Sequence, residues 1–173
     1  MKRLPAQPSL FVAPSDICHF SPCRTWRYWL RRSWDAELEP LVVIGLNPST
    51  ADENYDDPTV RRCVNYARAW GHGGLVMLNI FAYRSTDPAG LTAPGVSPVG
   101  AENDQALIEQ TMGRRVVCAW GVHGKLLDRG AEVLRLINPG AKEVLCLGVT
   151  KEGYPKHPLY LRADLKPIPY PPV

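Results

Sequence analysis

The sequence lacks long apolar runs, an even set of cysteines and a strong excess of charge of one sign. No uninterrupted apolar stretch approaches the roughly 20 residues that a membrane-spanning helix needs, so we expect no membrane contact. The five cysteines are an odd number, which argues against a disulfide framework. Pro5, Pro8 and Pro14 interrupt the apolar stretch that a signal peptide would need, so we expect a cytoplasmic protein. A formal net charge of +3 permits contact with nucleic acid without indicating it.

Several common functional motifs are also missing. The chain contains no G-x-G-x-x-G, no Walker loop and no G-x-S-x-G, so the best-known nucleotide and hydrolase motifs give no guide to its function. Cys18 and Cys23 flank His19, but no second pair of ligands stands nearby to complete the four that zinc prefers. We therefore predict no metal site and no organic cofactor.

Four short and nearly continuous apolar runs are present. They are LVVIGL at 41–46, LVMLNIF at 75–81, VVCAW at 116–120 and VLCLG at 144–148. Continuous runs are typical of strands that are buried on both faces of a parallel sheet. Helical patterns lie between the runs, and this alternation predicts an α/β fold, a three-layer α/β/α sandwich with a central, mostly parallel four-stranded sheet.

The helical patterns carry recognisable start and stop signals. In DPTVRRCVNYARAWG, Asp57 is a candidate N-cap, Pro58 suits the first helical position and Gly71 ends the helix. NDQALIEQTM begins with the capping candidates Asn103 and Asp104. A third helix is predicted within GKLLDRGAEVLRLINPG.

The chain is long enough for one domain with a substantial core. We expect a loose N-terminal arm over 1–20, an added strand or hairpin over 21–40 and the core over 41–161. The segment 85–100 is rich in Pro and Gly and is predicted to be an ordered loop. The Pro-rich tail over 162–173 ends in KPIPYPPV and is predicted to lack regular structure.

Polar residues stand just after the predicted strands, where open α/β sheets bind their ligands. Asn47 offers an acceptor and two donors and can hold a water molecule. Asn79 can bind the donor and acceptor edge of a base. His157 can donate to an oxygen that becomes negative as a bond breaks. Together, these three side chains suit cleavage of a bond to a nucleobase.

The order of these residues resembles the uracil-DNA glycosylase superfamily from about residue 41 to 161. GLNPS is similar to its first motif, LVMLN to the strand whose Asn binds uracil, VVCAWG to its Trp-Gly strand end, and HPLYL to its last motif. The resemblance implies catalytic roles for Asn47 and His157 and base binding by Asn79. It further implies a pocket lined by residues of these motifs, namely Gly45, Pro48, Ser49 and Trp120.

A narrower resemblance links the chain to a bacterial and phage domain family of unknown function. The segments that carry it are GLNPSTADENYDDPTVRRC, NIFAYRSTDP, AWG and TKEGYPKHPLYL. For that family, kinship with the glycosylases implies a fold and a pocket but no established reaction.

Three departures from the glycosylase pattern shape the expected substrate. Asn47 replaces the Asp that activates water in the uracil-specific branch, which implies a weaker catalyst. Ser49 replaces a Tyr that excludes 5-methyl groups, so a larger substituent at C5 is expected to fit. The final motif continues Leu-Tyr-Leu in place of a small wedge, which favours single-stranded DNA or a free nucleotide over duplex DNA.

Two further residues have alternative interpretations. Asp52 belongs to an acidic cluster with Glu53, Asp56 and Asp57, and this cluster suits the start of a helix. Asp52 could also supply the carboxylate that Asn47 lacks, or hold a divalent ion through oxygen ligands. Arg84 could pair with a substrate phosphate, or with Asp87 as a structural ion pair.

The sequence thus predicts a nucleobase- or nucleotide-acting enzyme. The simplest reaction is hydrolysis of the N-glycosidic bond of uracil or a 5-substituted pyrimidine, in DNA repair or base modification. Two alternatives stay open. One is an enzyme that processes nucleotides or modified bases by another reaction, and the other is an inactive module that binds nucleic acid or nucleotides.

Overall fold

A computed structural model describes residues 17–170, which form seven strands and three α-helices. The strands are β1 Cys18–Phe20, β2 Arg27–Ser33, β3 Pro40–Gly45, β4 Gly74–Asn79, β5 Arg115–Cys118, β6 Glu143–Cys146 and β7 Ile168–Pro169. The α-helices are α1 Pro58–Ala69, α2 Asn103–Thr111 and α3 Arg129–Ile137. Short 3-10 helices span Pro88–Thr92 and Val122–Asp128.

The strands form one sheet in the order β1-β2-β4-β3-β5-β6-β7. The central strands β4, β3, β5 and β6 run parallel, and they coincide with the four apolar runs of the sequence. The predicted α/β class with a mostly parallel core is therefore confirmed. Three further strands pair in antiparallel fashion: β2 lies in the segment predicted to add a strand or hairpin, β1 extends the same side, and β7 on the other side was not predicted.

Helices cover both faces of the sheet. Neighbouring residues of a strand point to opposite faces, so Val42 and Val43 of β3 belong to different apolar clusters. Cys63 of α1 packs in the cluster of Val43. Leu107 of α2 and Val133 of α3 pack in the cluster of Val42. Both faces of the central strands are thereby removed from water, which explains why their sequences are continuously apolar.

Helix α1 begins and ends as predicted. The Asp57 carboxylate accepts a hydrogen bond from the Val60 amide at 2.9 Å, and Pro58 is the first helical residue. Gly71 follows the helix with a φ of 80°, a left-handed conformation that favours glycine.

The predicted cap of α2 is wrong. Glu102 occupies the cap position without a side-chain hydrogen bond, and Asn103 and Asp104 are the first two helical residues. The Asn103 amide donates to main-chain carbonyls at the end of β4, and Asp104 pairs with Arg129. Both polar side chains are used in tertiary contacts, which a local capping rule does not detect.

The two ends of the chain contain more regular structure than predicted. Residues 1–16 lie outside the described range, but Cys18–Phe20 at the end of the predicted arm form β1, which pairs with β2 as a hairpin. The prediction for the tail is wrong at Ile168–Pro169, which forms β7 on β6. An edge strand tolerates proline because half of its amides have no partner in the sheet. The Tyr170 amide supplies a hydrogen bond to the Val144 carbonyl at 3.0 Å.

Within residues 17–170, no helix combines the length and apolar character that crossing a membrane would require.

Candidate active site

A cavity of about 410 Å³ lies beyond the carboxyl ends of the parallel strands, where an α/β sheet is expected to bind its ligand. Its volume falls within the range of small-molecule sites. The structure brings six of the nine predicted site residues to this cavity, here called the pocket. These six are Gly45, Asn47, Ser49, Asn79, Trp120 and His157.

The side chain of Asn47 is fixed by its amide nitrogen. Nδ2 donates to the Ser85 carbonyl at 2.7 Å and to the Pro48 carbonyl at 3.0 Å. Both partners are acceptors, so the nitrogen and the oxygen of the amide are unambiguously placed. Both amide protons are used, and Oδ1 is left to accept a hydrogen bond from a molecule in the pocket.

Asn79 contributes a buried amide with a free donor. The residue is 1 % exposed, and its Nδ2 has no hydrogen-bond partner within residues 17–170. A buried unpaired donor is costly, and a ligand acceptor in the pocket would satisfy it. Gly45 makes room for this amide, because a Cβ at that position would lie 3.0 Å from Asn79 Oδ1 and 2.8 Å from Met77 Cε.

Asn103 holds the main chain that carries Asn79. Its Nδ2 donates to the carbonyls of Asn79 and Ile80 at 3.1 Å each, and the residue is fully buried. The sequence pattern predicted Asn103 as a helix cap and did not indicate this contact. Asn103 is a positioning residue, since it acts on the pocket through the end of β4.

His157 presents a neutral imidazole to the pocket. Nδ1 accepts a hydrogen bond from the Leu159 amide at 3.3 Å, so the ring proton lies on Nε2. Burial lowers the pKa of His157, and the Asp57 carboxylate partly opposes this shift. The residue is exposed along part of its surface, but the protein around the pocket replaces enough water to favour the neutral ring. His157 can therefore donate from Nε2 without carrying a charge.

Trp120 and Gly121 form the part of the pocket that follows β5. Trp120 is 1 % exposed, and glycines pack against its ring, since a Cβ at Gly124 would lie 2.1 Å from Trp120 Cδ1. The Gly121 amide donates to the Pro155 carbonyl at 2.8 Å. This bond ties the segment before His157 to the end of β5.

Three predicted site residues lie outside the pocket. Asp52 Oδ1 accepts from the amides of Asn54 and Tyr55 at 2.8 and 2.9 Å, so the carboxylate stabilises its own turn. No group of three or more His, Cys, Asp or Glu residues is placed to hold a metal ion in the described part of the chain. Pro48 is buried, and its carbonyl accepts the Asn47 amide.

Arg84 is the third of these residues, and it lines a shallower groove beside the pocket. The groove also contains Thr50 and shares Ser49, Ser85 and Thr86 with the pocket. Arg84 Nη1 donates to a main-chain carbonyl at 3.2 Å. The alternative ion pair with Asp87 is not formed, because the Asp87 carboxylate caps the 3-10 helix at Pro88–Thr92.

Two charged residues of the pocket were missed by the sequence analysis. Arg27 on β2 lines the pocket although it lies in the added hairpin. Asp57 also lines it while capping α1. The sequence places Asp57 in the acidic cluster that follows GLNPS, but its role as a helix cap accounted for it. No local signal identifies Arg27, because its position depends on the pairing of β2 with β4.

The family model described as "Protein of unknown function (DUF1643)" matches residues 27–159. The chain belongs to that family. Every residue that lines the pocket lies within the matched range, from Arg27 to Leu159. Comparison with curated proteins and with solved structures gives no significant match.

Proposed function

We propose that this member of the DUF1643 family acts on a nucleobase or nucleotide, and that it hydrolyses the N-glycosidic bond of uracil or a 5-substituted pyrimidine. The proposal includes a three-layer sandwich of the uracil-DNA glycosylase type as its fold. The observation that carries it is one pocket with three complementary groups: the free acceptor of Asn47, the unpaired donor of Asn79 and the neutral imidazole of His157.

Each group has a defined task in the proposed reaction. Asn79 donates from Nδ2 to a carbonyl oxygen of the pyrimidine and thereby orients the base. Asn47 Oδ1 accepts a hydrogen bond from the attacking water and holds it in place. As the bond between C1′ and N1 breaks, its electron pair stays on the base. His157 then donates a hydrogen bond from Nε2 to the oxygen on which the negative charge develops.

Asp57 supplies the carboxylate that Asn47 lacks. Its Oδ1 accepts the Val60 amide, which leaves the second oxygen to accept a proton from the water. The water adds to C1′ as hydroxide, its proton passes to Asp57, and the base anion takes up a proton on release. This assignment replaces Asp52, whose carboxylate is used in its own turn.

The surroundings of Ser49 support a substrate with a substituent at C5. Ser49 lines both the pocket and the adjoining groove. A small side chain at this junction leaves a passage from the base toward the groove. A 5-methyl or larger group is therefore accommodated instead of excluded.

The direct test is release of free base from single-stranded oligonucleotides and nucleotides that contain uracil or 5-substituted uracils, measured by chromatography. We expect Asn47→Ala and His157→Ala to lower the rate by about a hundredfold or more, the scale for removing one electrostatic stabiliser. Asn65→Ala, on the exposed side of α1, is the matched control and retains the parent rate. No release by the parent, with all variants alike, would contradict the proposal.

A second reaction on the same ligands is favoured by the two charges in the pocket. Departure of a stabilised base anion does not require a buried guanidinium, yet Arg27 lines the pocket. An enzyme that processes a nucleotide or a modified base in another way would use that charge. Loss of nucleotide substrate without release of free base would support this alternative. Binding without any loss of substrate would instead identify an inactive module.

A further inference from the structure

Arg27 is a buried guanidinium at the pocket whose hydrogen bonding is incomplete. The residue is 1 % exposed and lines the pocket. Nη1 donates to the Ala51 carbonyl at 2.8 Å, whereas Nε is buried and has no partner within residues 17–170. The planar fork of an arginine matches the oxygens of a phosphate or carboxylate.

The charge of Arg27 is only partly compensated by the protein. Arg27 forms no salt bridge with any residue of the described range. Burial lowers its pKa to about 10, so the group stays charged at neutral pH. Asp57 is near enough to oppose this shift, but Arg84 and Arg32 add to it. The Asp57 carboxylate balances part of the charge from within the same pocket, and an anionic ligand would add a directly hydrogen-bonded partner.

Further hydrogen-bond donors line the pocket beside Arg27 and the Asp57 carboxylate. Pro58, Thr59 and Val60 of the first turn of α1 line it. Pro58 has no amide proton and the Val60 amide donates to the Asp57 cap, so the Thr59 amide is the donor of this turn that is left for a ligand. The hydroxyl-bearing residues Ser49 and Thr86 connect the pocket to the groove of Arg84.

We propose that Arg27 binds a phosphate group of the ligand, so the pocket takes a phosphorylated pyrimidine nucleoside in preference to a free base or nucleoside. This inference builds on the proposed function and adds the part of the substrate that Asn79 and His157 do not contact. A free 5′-nucleotide and the phosphodiester of single-stranded DNA offer the same chemistry. In both cases the guanidinium donates to phosphate oxygens, and no bond to phosphorus is made or broken.

The experiment is calorimetric titration of the parent protein with deoxyuridine, 5′-dUMP and a short single-stranded oligonucleotide that contains one uracil. We expect 5′-dUMP to bind about tenfold to a hundredfold more tightly than deoxyuridine, the scale of a hydrogen bond between charged groups. Arg27→Met should bind 5′-dUMP as weakly as it binds deoxyuridine. Arg27→Lys should retain part of the difference, because it keeps the charge and loses the fork.

Arg32→Met is the matched control. Arg32 lies on the same strand and contacts the same loop, donating to Asp56 at 2.9 Å and to the Asp52 carbonyl at 2.6 Å, but it does not line the pocket. We expect this variant to keep the preference for the phosphorylated ligand. If the preference is lost equally in Arg32→Met and Arg27→Met, the effect belongs to the loop and the inference is overturned.

Two further outcomes separate the possibilities. Equal binding of deoxyuridine and 5′-dUMP by the parent protein overturns the inference, whether or not free base is released. A preference for 5′-dUMP that requires Arg27, without release of free base, supports the inference and contradicts the proposed hydrolysis. If Arg27→Met weakens binding of the oligonucleotide more than binding of 5′-dUMP, the phosphate belongs to a DNA strand. If it weakens binding of 5′-dUMP more, the ligand is a free nucleotide.

Discussion

Two arginines of this protein are equally buried but have very different surroundings. Arg27 and Arg129 are each 1 % exposed. Arg129 pairs with Asp104 and Glu132, and its Nε donates to the Ile80 carbonyl at 2.7 Å. Arg27 donates one hydrogen bond to a main-chain carbonyl and pairs with no carboxylate in the described range. One guanidinium is completed by the protein itself, and the other is not.

The difference separates a structural side chain from a binding side chain. A buried charge without a partner destabilises the folded state, so an incomplete one is expected where a ligand supplies the missing contact. One other atom at the pocket agrees, since Asn79 Nδ2 is also buried without a partner in the described range. Unpartnered atoms also occur away from the pocket, for example Arg62 Nε, so the distinction depends on the position of Arg27 and Asn79 in one cavity.

The largest effect is expected at the completed arginine. Arg129→Met leaves a buried carbonyl without one of its donors and two carboxylates without their cation. We expect a loss of about 3 kcal/mol in the free energy of unfolding, at the lower end for breaking a buried ion pair, because the half-exposed carboxylates can rehydrate. Urea denaturation at pH 7 measures it. A loss as small as that of Arg27→Met would show that the partners of Arg129 do not make it more important for stability than Arg27.

A smaller loss is expected at Asn103, which supports the pocket from behind. Asn103→Ala removes the donor shared by the Asn79 and Ile80 carbonyls. We expect the free energy of unfolding to fall by about 2 kcal/mol, within the range for unsatisfied buried polar groups. The exposed Asn65→Ala should change stability by less than about 0.5 kcal/mol. Because Asn79 is then less firmly placed, binding of 5′-dUMP should weaken in Asn103→Ala, a change that a purely structural residue far from the pocket would not cause.

Removing the guanidinium of Arg27 should change the free energy of unfolding less than removing that of Arg129. Arg27→Met loses the hydrogen bond to Ala51 but relieves the cost of an unpaired buried charge. These effects oppose each other. The free energy of unfolding of the unliganded variant should therefore differ from that of the parent by less than about 1 kcal/mol. Urea denaturation without phosphate in the buffer measures the difference. A loss equal to that of Arg129→Met would show that Arg27 is structural.

The core of the fold could be predicted because burial leaves a direct mark on the sequence. The strands β3, β4, β5 and β6 are covered on both faces, and each appears as a continuous apolar run. The outer strands carry no such mark. Ile168–Pro169 contains a proline that argues against a strand, and only its edge position on β6 makes that proline acceptable.

The same reasoning explains which site residues could be predicted. Asn47, Asn79 and His157 follow parallel strands directly, and the topology of the sheet carries them to one pocket. Asp52 and Asp57 stand in one acidic cluster, and the sequence does not reveal which carboxylate its own turn uses and which one the pocket receives. Arg27 reaches the pocket only through the antiparallel addition of β2 to the sheet, a long-range contact without a local signal.

The smallest expected effect concerns the protonation of His157 and tests whether the pocket favours a neutral ring. Burial lowers the pKa of His157 below its ordinary value of 6.5, so the unfolded chain binds the proton more tightly than the folded protein does. The folded protein is therefore favoured while the His157 ring is neutral. This part of the free energy of unfolding is fully present above about pH 6.5 and is lost as the pH falls toward the lowered pKa of the folded state. Thermal unfolding of the parent and of His157→Asn between about pH 7.5 and 5 measures it. We expect the variant to lose less stability on acidification, whereas Asn65→Ala, on the exposed side of α1, should follow the parent. If His157→Asn also follows the parent, the ring is not held neutral by its surroundings, and the proposed donor at Nε2 loses its support.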